Sequence, residues 1–169
     1  MSYMHIDNLY KSLEILMFKE CYAMEKIHGT SAHISYKDGK VKFFAGGGSH
    51  EAFVKLFDGE ALKSRFGEVI PPSVQVYVYG ESYGGKQQGM GSVYGKDPKF
   101  VCFEVKIGDA WLNVEKAHSF VVGLGLEFVH YEKIPATIEA IDAQRDTPSV
   151  QAVRNGMGLH GREGIVLRP

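Results

Sequence analysis

Apolar residues recur along the chain with two different periods, and these periods predict where helices and strands lie. From Ile6 to Met17 they fall at helical spacing, which predicts a short first helix. The pattern then changes to short apolar runs, which predict a strand at residues 21–26 and a hairpin of residues 32–36 and 41–45. The chain is therefore expected to begin with a helix and to continue as sheet.

The rest of the chain mixes both patterns, and its strands are short and joined by turn residues. This mixture predicts an α+β domain of mostly antiparallel sheets with flanking helices, and its length fits one domain over residues 1–169. The other predicted helices are one over 52–57 that is interrupted at 58–59 and resumed at 62–66, one at 115–122 and a short one between 147 and 156. The other predicted strands are at 74–79, 127–132 and 164–168, together with a hairpin of 100–106 and 111–114. A flexible glycine-rich loop is predicted over 80–95.

Composition limits the class of protein. The 169 residues are 44% hydrophobic and 23% charged, and 19 basic residues balance 20 acidic ones, which excludes a disordered chain and a basic nucleic-acid coat. The two cysteines, Cys21 and Cys102, are far apart, so neither a disulfide scaffold nor a cysteine zinc site is expected. Neither a leader pattern nor a membrane-spanning run is visible, and we predict a soluble, cytoplasmic protein.

One stretch matches the start of a phosphate-binding loop. Residues 80–86 read Gly-Glu-Ser-Tyr-Gly-Gly-Lys, the pattern G-x-x-x-x-G-K, after a predicted strand. Gln87 follows, where a hydroxyl is needed to hold magnesium, and the next glycines disfavour the helix whose N-terminus would bind phosphate. We therefore reject the phosphate-binding loop and interpret this stretch as a mobile connection.

Two lysines occur in the pattern K-x-x-G, and their surroundings distinguish them. Lys26 ends an apolar strand and precedes a tight turn at 28–30, whereas Lys86 lies in the predicted flexible loop. A lysine that attacks phosphorus must be deprotonated and held in place, so Lys26 is the candidate nucleophile. Considered alone, Lys26 is better explained as an ordinary solvent-exposed lysine at a strand end.

Four short motifs follow one another in the chain. They are Glu-Lys-Ile-His-Gly-Thr at 25–30, Tyr-Gly-Glu at 79–81, Phe-Glu-Val at 103–105 and Glu-Gly-Ile-Val-Leu-Arg at 163–168. Their order resembles motifs I, III, IIIa and IV of ATP-dependent RNA ligases, of the type that seals nicked duplex RNA. DNA ligases and capping enzymes typically carry Asp where His28 stands. The resemblance implies the nucleotidyltransferase core of covalent ligases, which is similar to the ATP-grasp fold.

The resemblance also implies a covalent reaction with ATP. Lys26 would attack the α-phosphorus, release pyrophosphate and hold AMP through a P–N bond, and His28 would assist that release. Glu163 would bind Mg²⁺ or Mn²⁺ and so offset phosphate charge. The enzyme would then pass AMP to an RNA 5′-phosphate, which a 3′-hydroxyl end attacks.

Several residues would bind the nucleotide if the resemblance extends to their roles. Glu81 would accept a hydrogen bond from a ribose hydroxyl, and Phe103 would stack on adenine. Glu25 would help to read adenine, Gly29 would lie beside the nucleotide, and Arg168 would contact phosphate. Taken singly, some of these residues also have a structural explanation: Phe103 as core packing, Glu81 as an acceptor for turn amides, and Arg168 as a surface ion pair with Glu163.

The sequence departs from the family pattern at three places. The family's Lys-x-Lys motif V has no counterpart before Pro169, which predicts a domain incomplete at its C-terminus. No arginine precedes Arg65, although one usually follows motif I, and Ser31 stands where the duplex-sealing type often has Asn. Two alternatives therefore stay open: a nucleotide- or RNA-binding remnant without catalysis, and a nucleotidyltransferase of the DNA ligase or capping type.

Overall fold

Two antiparallel β-sheets form the framework of the computed structural model, which describes residues 2–169. One sheet has three strands in the order β7-β1-β8, and the other has five in the order β3-β2-β4-β5-β6. The strands are β1 (Glu20–Lys26), β2 (Thr30–Lys37), β3 (Lys40–Phe44), β4 (Val76–Tyr83), β5 (Lys99–Ile107), β6 (Ala110–Trp111), β7 (Tyr131–Pro135) and β8 (Gly164–Arg168). The α-helices are α1 (His50–Val54), α2 (Gly59–Val69), α3 (Gly91–Tyr94), α4 (Val114–Gly123), α5 (Ile138–Arg145) and α6 (Val150–Arg154).

The main core lies between the five-stranded sheet and the helices α1, α2 and α4. Tyr36 of β2 stacks on Phe66 of α2 at 4.7 Å between ring centroids, and Phe43 of β3 packs against Phe53 of α1. Because side chains alternate along a strand, this packing leaves the opposite face of the same sheet free of these helices. Among residues 2–169, no helix is both long enough and apolar enough to cross a membrane.

Local sequence chemistry explains where most elements begin and end. The β2–β3 hairpin turns at Asp38 and Gly39, whose φ values of 51° and 73° are those of the two-residue turn that matches strand twist. Five helices begin after a residue whose side chain accepts a hydrogen bond from a backbone amide of the first turn. These residues are Ser49, Asp58, Asn113, Thr137 and Ser149.

A buried ion pair joins the two sheets. Arg168 Nη2 of β8 lies 2.9 Å from Glu104 Oε2 of β5, and the two side chains are only 16% and 3% exposed. The same guanidinium donates to the backbone carbonyls of Phe103 and Leu112. Burial raises the pKa of Glu104, and the charge of Arg168 opposes that rise. The last strand is thereby fixed against the middle of the other sheet.

The predicted α+β architecture of antiparallel sheets and flanking helices is confirmed. The strand at 21–26, the hairpin of 32–36 and 41–45, and the final strand at 164–168 occur within one or two residues of their predicted bounds. The interrupted helix also occurs, since α1 ends at Val54 and Asp58 caps the start of α2. The helices predicted at 115–122 and between 147 and 156 are present as α4 and α6.

The predicted first helix is wrong. Residues 6–17 contain a turn at 9–11 and a short 3₁₀ helix at Glu14–Met17, and no α-helix. The side chains that pack on the core are Leu9, Ile15 and Leu16, whereas Leu13 and Met17 of the predicted apolar face are 54% and 85% exposed. A short helix without a packed face is not stable in water, so helical spacing alone did not produce one.

The glycine-rich loop predicted at 80–95 begins later than expected. Strand β4 continues to Tyr83, and the remainder folds into a 3₁₀ turn at Gln87–Gly89 and helix α3. At Gly80 a Cβ atom would lie 2.3 Å from the carbonyl oxygen of Val101, so this glycine permits close strand approach rather than flexibility. The rejected phosphate-binding loop is thus partly a strand.

Smaller differences concern the second half of the chain. The strand predicted at 127–132 begins only at Tyr131, and Phe128 forms a single bridge to Cys102. The strand predicted at 111–114 stops at Trp111, because Asn113 caps the next helix. Helix α5 was not predicted, although Thr137 before it is a good helix cap.

We predict that Arg168→Met lowers the free energy of unfolding by about 3 kcal/mol, because it leaves the Glu104 carboxylate buried without its partner. Denaturant unfolding followed by circular dichroism measures this loss. The matched control is Arg145→Met, which removes exposed ion pairs to Asp142 and Asp146 and costs under about 1 kcal/mol.

A second variant tests whether the unpaired charge is the cause. Replacing Arg168 and Glu104 together by methionine removes both charges and is expected to recover most of the loss. A double variant as unstable as Arg168→Met alone would contradict this explanation.

Candidate active site

A cleft of about 1330 Å³ lies between the two sheets, and the motif residues converge on it. One wall is formed by the ends of β1 and β8, and the other by β4 and β5. All of the residues predicted to act on the nucleotide contribute to its lining: Glu25, Lys26, His28, Gly29, Glu81, Phe103, Glu163 and Arg168. Segments that are far apart in sequence therefore meet at one site.

Lys26 ends the central strand of the three-stranded sheet, opposite Gly164 of β8. Its Nζ atom lies 3.9 Å from Oε1 of Glu163, and the two side chains are 57% and 29% exposed. An ion pair this open to solvent contributes little to stability. Either group can therefore exchange its partner for a ligand at small cost.

The turn after Lys26 is held at two backbone amides. The N–H of His28 donates to the hydroxyl of Tyr94 at 3.2 Å, and the N–H of Gly29 donates to Oε1 of Glu81 at 3.1 Å. Gly29 also packs directly on β4, since a Cβ atom there would lie 2.2 Å from the carbonyl oxygen of Ser82. The lysine therefore stands on a strand and a turn that are both fixed.

Glu81 has an unusual electrostatic environment for a carboxyl group. Burial raises its pKa to about 7, the hydrogen bond from Gly29 and the charge of Lys26 lower it, and the charge of Glu163 raises it further. Its side chain therefore changes charge near neutral pH. A carboxyl group in this state can accept a hydrogen bond and, when protonated, also donate one.

A bulge in β5 brings Phe103 to the cleft beside Glu104. Tyr79 of β4 pairs with Glu104, whereas Gly80 pairs with Cys102, which leaves Phe103 as the extra residue. Phe103 lines the cleft, and Glu104 beside it reaches Arg168 of the other sheet. In a regular strand these two side chains would point to opposite faces.

The carboxylate of Glu25, predicted to help to read adenine, is occupied by groups of the protein itself. It is 3% exposed and accepts hydrogen bonds from the hydroxyl of Ser149 at 2.5 Å and from the amides of Val150 and Gln151 at 2.8 and 3.1 Å. These groups form the start of helix α6, whose free amides favour a negative charge. Glu25 therefore fixes α6 against the lysine-bearing strand.

The guanidinium of Arg168, predicted to contact phosphate, is likewise occupied by groups of the protein. It pairs with Glu104 and donates to two backbone carbonyls. In the register of the sheet, Arg168 pairs with Tyr22, whereas Lys26 pairs with Gly164 at the other end of β8. Arg168 supports the wall that carries Phe103.

Two contributors to the site lie outside the four motifs. The segment 3–12 lines the cleft, and the ring of Tyr3 meets Phe103 edge-on at 5.0 Å between centroids. Burial raises the pKa of Tyr3 to about 12, and its hydroxyl faces Glu104. Tyr94, which holds the turn at His28, was placed by sequence in a flexible loop. No pattern in the sequence links either tyrosine to the site.

The carboxylates of the cleft suit a cation that also binds phosphate. Within residues 2–169, no three His, Cys, Asp or Glu side chains form a metal cluster. Glu163 and Glu81 are close enough for their charges to interact. Magnesium and manganese at nucleotide sites commonly use one or two carboxylates together with phosphate oxygens and water, and the pair of glutamates fits that pattern.

Comparison with known proteins agrees with this geometry. A family model described as RNA ligase matches residues 19–169, and no curated protein matches the chain. A variant of Naegleria gruberi RNA ligase solved with AMP and Mn is 18% identical, with a TM-score of 0.70 over 95% of this chain and 49% of that chain. Another variant, with ATP and Mn, is 18% identical, with a TM-score of 0.74 over 99% of this chain and 52% of that chain.

These structural likenesses confirm the predicted fold, that of the nucleotidyltransferase domain of RNA ligases. At this level of identity they show the fold alone. The chain spans about half the length of the solved ligases that it matches.

We predict that Gly29→Ala lowers the free energy of unfolding by about 3 kcal/mol, because the added methyl group overlaps the Ser82 carbonyl group. Thermal or denaturant unfolding measures the change. Gly47→Ala is the matched control, since its Cβ atom would meet only Thr30 Cγ2 at 3.8 Å. Equal stability of the two variants would contradict the close approach at Gly29.

We predict that Glu81 makes stability depend on pH. Because its folded pKa is raised to about 7, its contribution to stability is fully present below its unfolded pKa near 4.5 and is lost as the pH rises through 7. Relative to Glu81→Gln, the native chain should therefore lose about 2 kcal/mol between about pH 5 and pH 8, after allowance for solvent in the cleft. Urea unfolding at several pH values measures this difference.

The control is Glu60→Gln on the exposed side of α2, which should leave the pH dependence unchanged. A Glu81→Gln chain with the same pH profile as the native chain would contradict a raised pKa at Glu81.

Proposed function

Because this chain belongs to the RNA ligase family, we propose that it is an adenylyltransferase that forms a covalent lysyl-AMP from ATP for the sealing of RNA ends. We further propose that residues 1–169 form one adenylyltransferase domain. The observation that carries the proposal is the convergence of Lys26, Glu81, Phe103 and Glu163 on one cleft. The neighbours solved with ATP and Mn, and with AMP and Mn, support the choice of nucleotide.

In the proposed first step, the lone pair of Lys26 Nζ attacks the α-phosphorus of ATP. A P–N bond forms while the bond from the α-phosphorus to the bridging oxygen breaks, and pyrophosphate leaves. The ammonium group loses one proton before the attack and the nitrogen loses another afterwards. The fixed strand and turn around Lys26 support this role, since they limit the positions that the amine can adopt.

The neighbouring residues supply binding and orientation. Phe103 stacks on adenine, and Glu81 binds a ribose hydroxyl from the same wall of the cleft. Gly29 allows the backbone to approach the nucleotide closely. His28, which lies in the turn that follows Lys26, assists pyrophosphate release. Arg168 and Glu25 act indirectly, because their contacts hold the Phe103 strand and helix α6 in place.

The site also fits a divalent cation, Mg²⁺ or Mn²⁺. Glu163 would hold it beside Lys26, with phosphate oxygens as further ligands. Such an ion supplies positive charge against the phosphates while the P–O bond breaks. Binding of the cation to Glu163 would also release Lys26 from its ion pair.

The later steps require RNA as partner. AMP passes from Lys26 to an RNA 5′-phosphate, and a 3′-hydroxyl end then attacks that phosphate and releases AMP. The family supports RNA as the substrate class. The end chemistry is part of our proposal.

We predict that the chain becomes labelled when it is incubated with ATP carrying a radioactive α-phosphate and with Mg²⁺ or Mn²⁺. The label should survive denaturing electrophoresis. It should not form when a chelator is present during the incubation, and it should be lost in Lys26→Ala. The matched control is Lys86→Ala, which removes the other lysine of the pattern K-x-x-G and should keep the label. Label on Lys26→Ala would exclude Lys26 as the nucleophile.

A noncatalytic nucleotide-binding domain is the second candidate, and the exposure of Lys26 favours it. That domain would bind ATP without a gain in mass, whereas the proposed enzyme gains the mass of one AMP. Competition between nicked RNA and nicked DNA, and between ATP and GTP, separates the RNA ligase from nucleotidyltransferases of the DNA ligase and capping types.

A further inference from the structure

A continuous array of aromatic rings crosses the face of the five-stranded sheet that the helices leave free. Neighbouring ring centroids in this array lie 4.8–5.9 Å apart, within the range of favourable aromatic contact. The array begins at the outer strand β3 and ends in the cleft. Its rings are Phe44, His33, Tyr77, Tyr79, Trp111, Tyr3 and Phe103.

The array differs from an ordinary core in its exposure. Phe44 is 53% exposed and Trp111 is 39% exposed, although both belong to strands of the sheet. Tyr79, between them, is buried, and its hydroxyl group has no hydrogen-bond partner within residues 2–169. Large exposed rings beside an unpaired buried hydroxyl are typical of a surface that binds something.

Two lysines stand on the same face as the rings. Lys42 lies two residues before Phe44 on β3, and the ladder places Lys42 opposite Ser35 and Ser35 opposite Tyr77. Lys106 is opposite Tyr77 on the other side, and its Nζ atom lies 5.1 Å from the Trp111 ring centroid. The pleat therefore alternates cations with aromatic faces across the sheet.

Acidic groups on this face do not cancel those cations. Glu104 is already paired with Arg168 of the other sheet. Glu81, two residues after Tyr79 on β4, shares this face but lies in the cleft, where it accepts a hydrogen bond from the amide of Gly29. Asp38 and Asp109 lie in the hairpin turns at the rim rather than among the rings. Because the whole chain has a formal charge of −1, this is a local positive surface and not part of a generally basic protein.

This combination matches a nucleic acid better than a protein partner. Bases stack on aromatic faces whatever their sequence, and lysines between the rings meet phosphates. The cores of protein–protein interfaces are depleted of lysine, because an unpaired buried ammonium group is costly. The array also leads to Phe103, where the adenine of ATP is proposed to bind.

We propose that the aromatic–lysine face, defined as Lys42, Phe44, Tyr77, Lys106 and Trp111, binds a single-stranded segment of RNA. Bases stack on Phe44 and Trp111, and phosphates lie beside the two lysines. The centroid steps from Phe44 through His33 and Tyr79 to Trp111 are 4.8, 5.5 and 5.7 Å, so the two outer rings lie at most about 16 Å apart, which is room for a few nucleotides. The choice of RNA as the ligand rests on the proposed function. The identification of the face as a binding surface rests only on its rings and lysines.

Trp111 allows a direct test because it is the single tryptophan of the chain. A short single-stranded RNA with a 5′-phosphate, added to the full chain in saturating ATP, should quench its fluorescence in a salt-dependent manner. Fluorescence anisotropy with labelled RNA then measures affinity in the variants Phe44→Ala, Trp111→Ala and Lys42→Glu. Each is expected to weaken binding about tenfold or more.

Matched controls keep the result specific to this face. Phe18→Ala removes another aromatic ring that is half exposed, and Lys116→Glu reverses an exposed charge on α4, which packs on the opposite face of the sheet. Both should bind RNA like the native chain. Unchanged affinity in all three face variants, or equal losses in the two controls, would overturn the proposal.

Further outcomes separate this inference from the proposed function. Formation of lysyl-AMP should be unchanged in Phe44→Ala and Lys42→Glu, since neither residue lines the cleft. If the native chain forms no adduct but the face variants still lose RNA binding, only the proposed function fails. If instead these variants alter self-association in size-exclusion chromatography and not RNA affinity, a protein partner replaces RNA and the inference fails.

Discussion

The contact on which the cleft depends is the ion pair between Arg168 and Glu104. It connects the last strand to the middle of the other sheet, and it does so where water is largely excluded. A buried pair of this kind costs desolvation, so it contributes more to a single relative position of the sheets than to net stability. Phe103 is the extra residue of the bulge next to Glu104, so this contact also helps to fix the position of its ring.

Sequence patterns predicted the parts of the fold that local chemistry decides. The β2–β3 hairpin follows from Asp38 and Gly39, and the break between α1 and α2 follows from Asp58. Patterns failed where tertiary contact decides. Residues 6–17 have helical spacing, but the side chains that pack on the core are not those of the predicted helical face. Gly80 resembles a loop residue, although it lies where two strands approach closely.

The candidate site shows the same division. The four motifs identified residues that meet at the cleft, since their spacing along the chain follows the strands that carry them. They did not reveal what each side chain contacts. Glu25 is engaged by the start of α6, and Arg168 by Glu104, because charges that are buried in the folded chain must find partners there. Tyr3 and Tyr94 lay beyond any short motif.

The position of Tyr3 has a practical consequence. Its ring rests against Phe103, and the segment that follows it continues along the cleft, so the adenine of the proposed ligand would compete with residues 3–12 for the same aromatic wall. Occupancy of that wall by the protein imposes an internal competitor whose effective concentration does not change on dilution. A change in this segment would therefore alter the apparent affinity for the proposed nucleotide without touching a single motif.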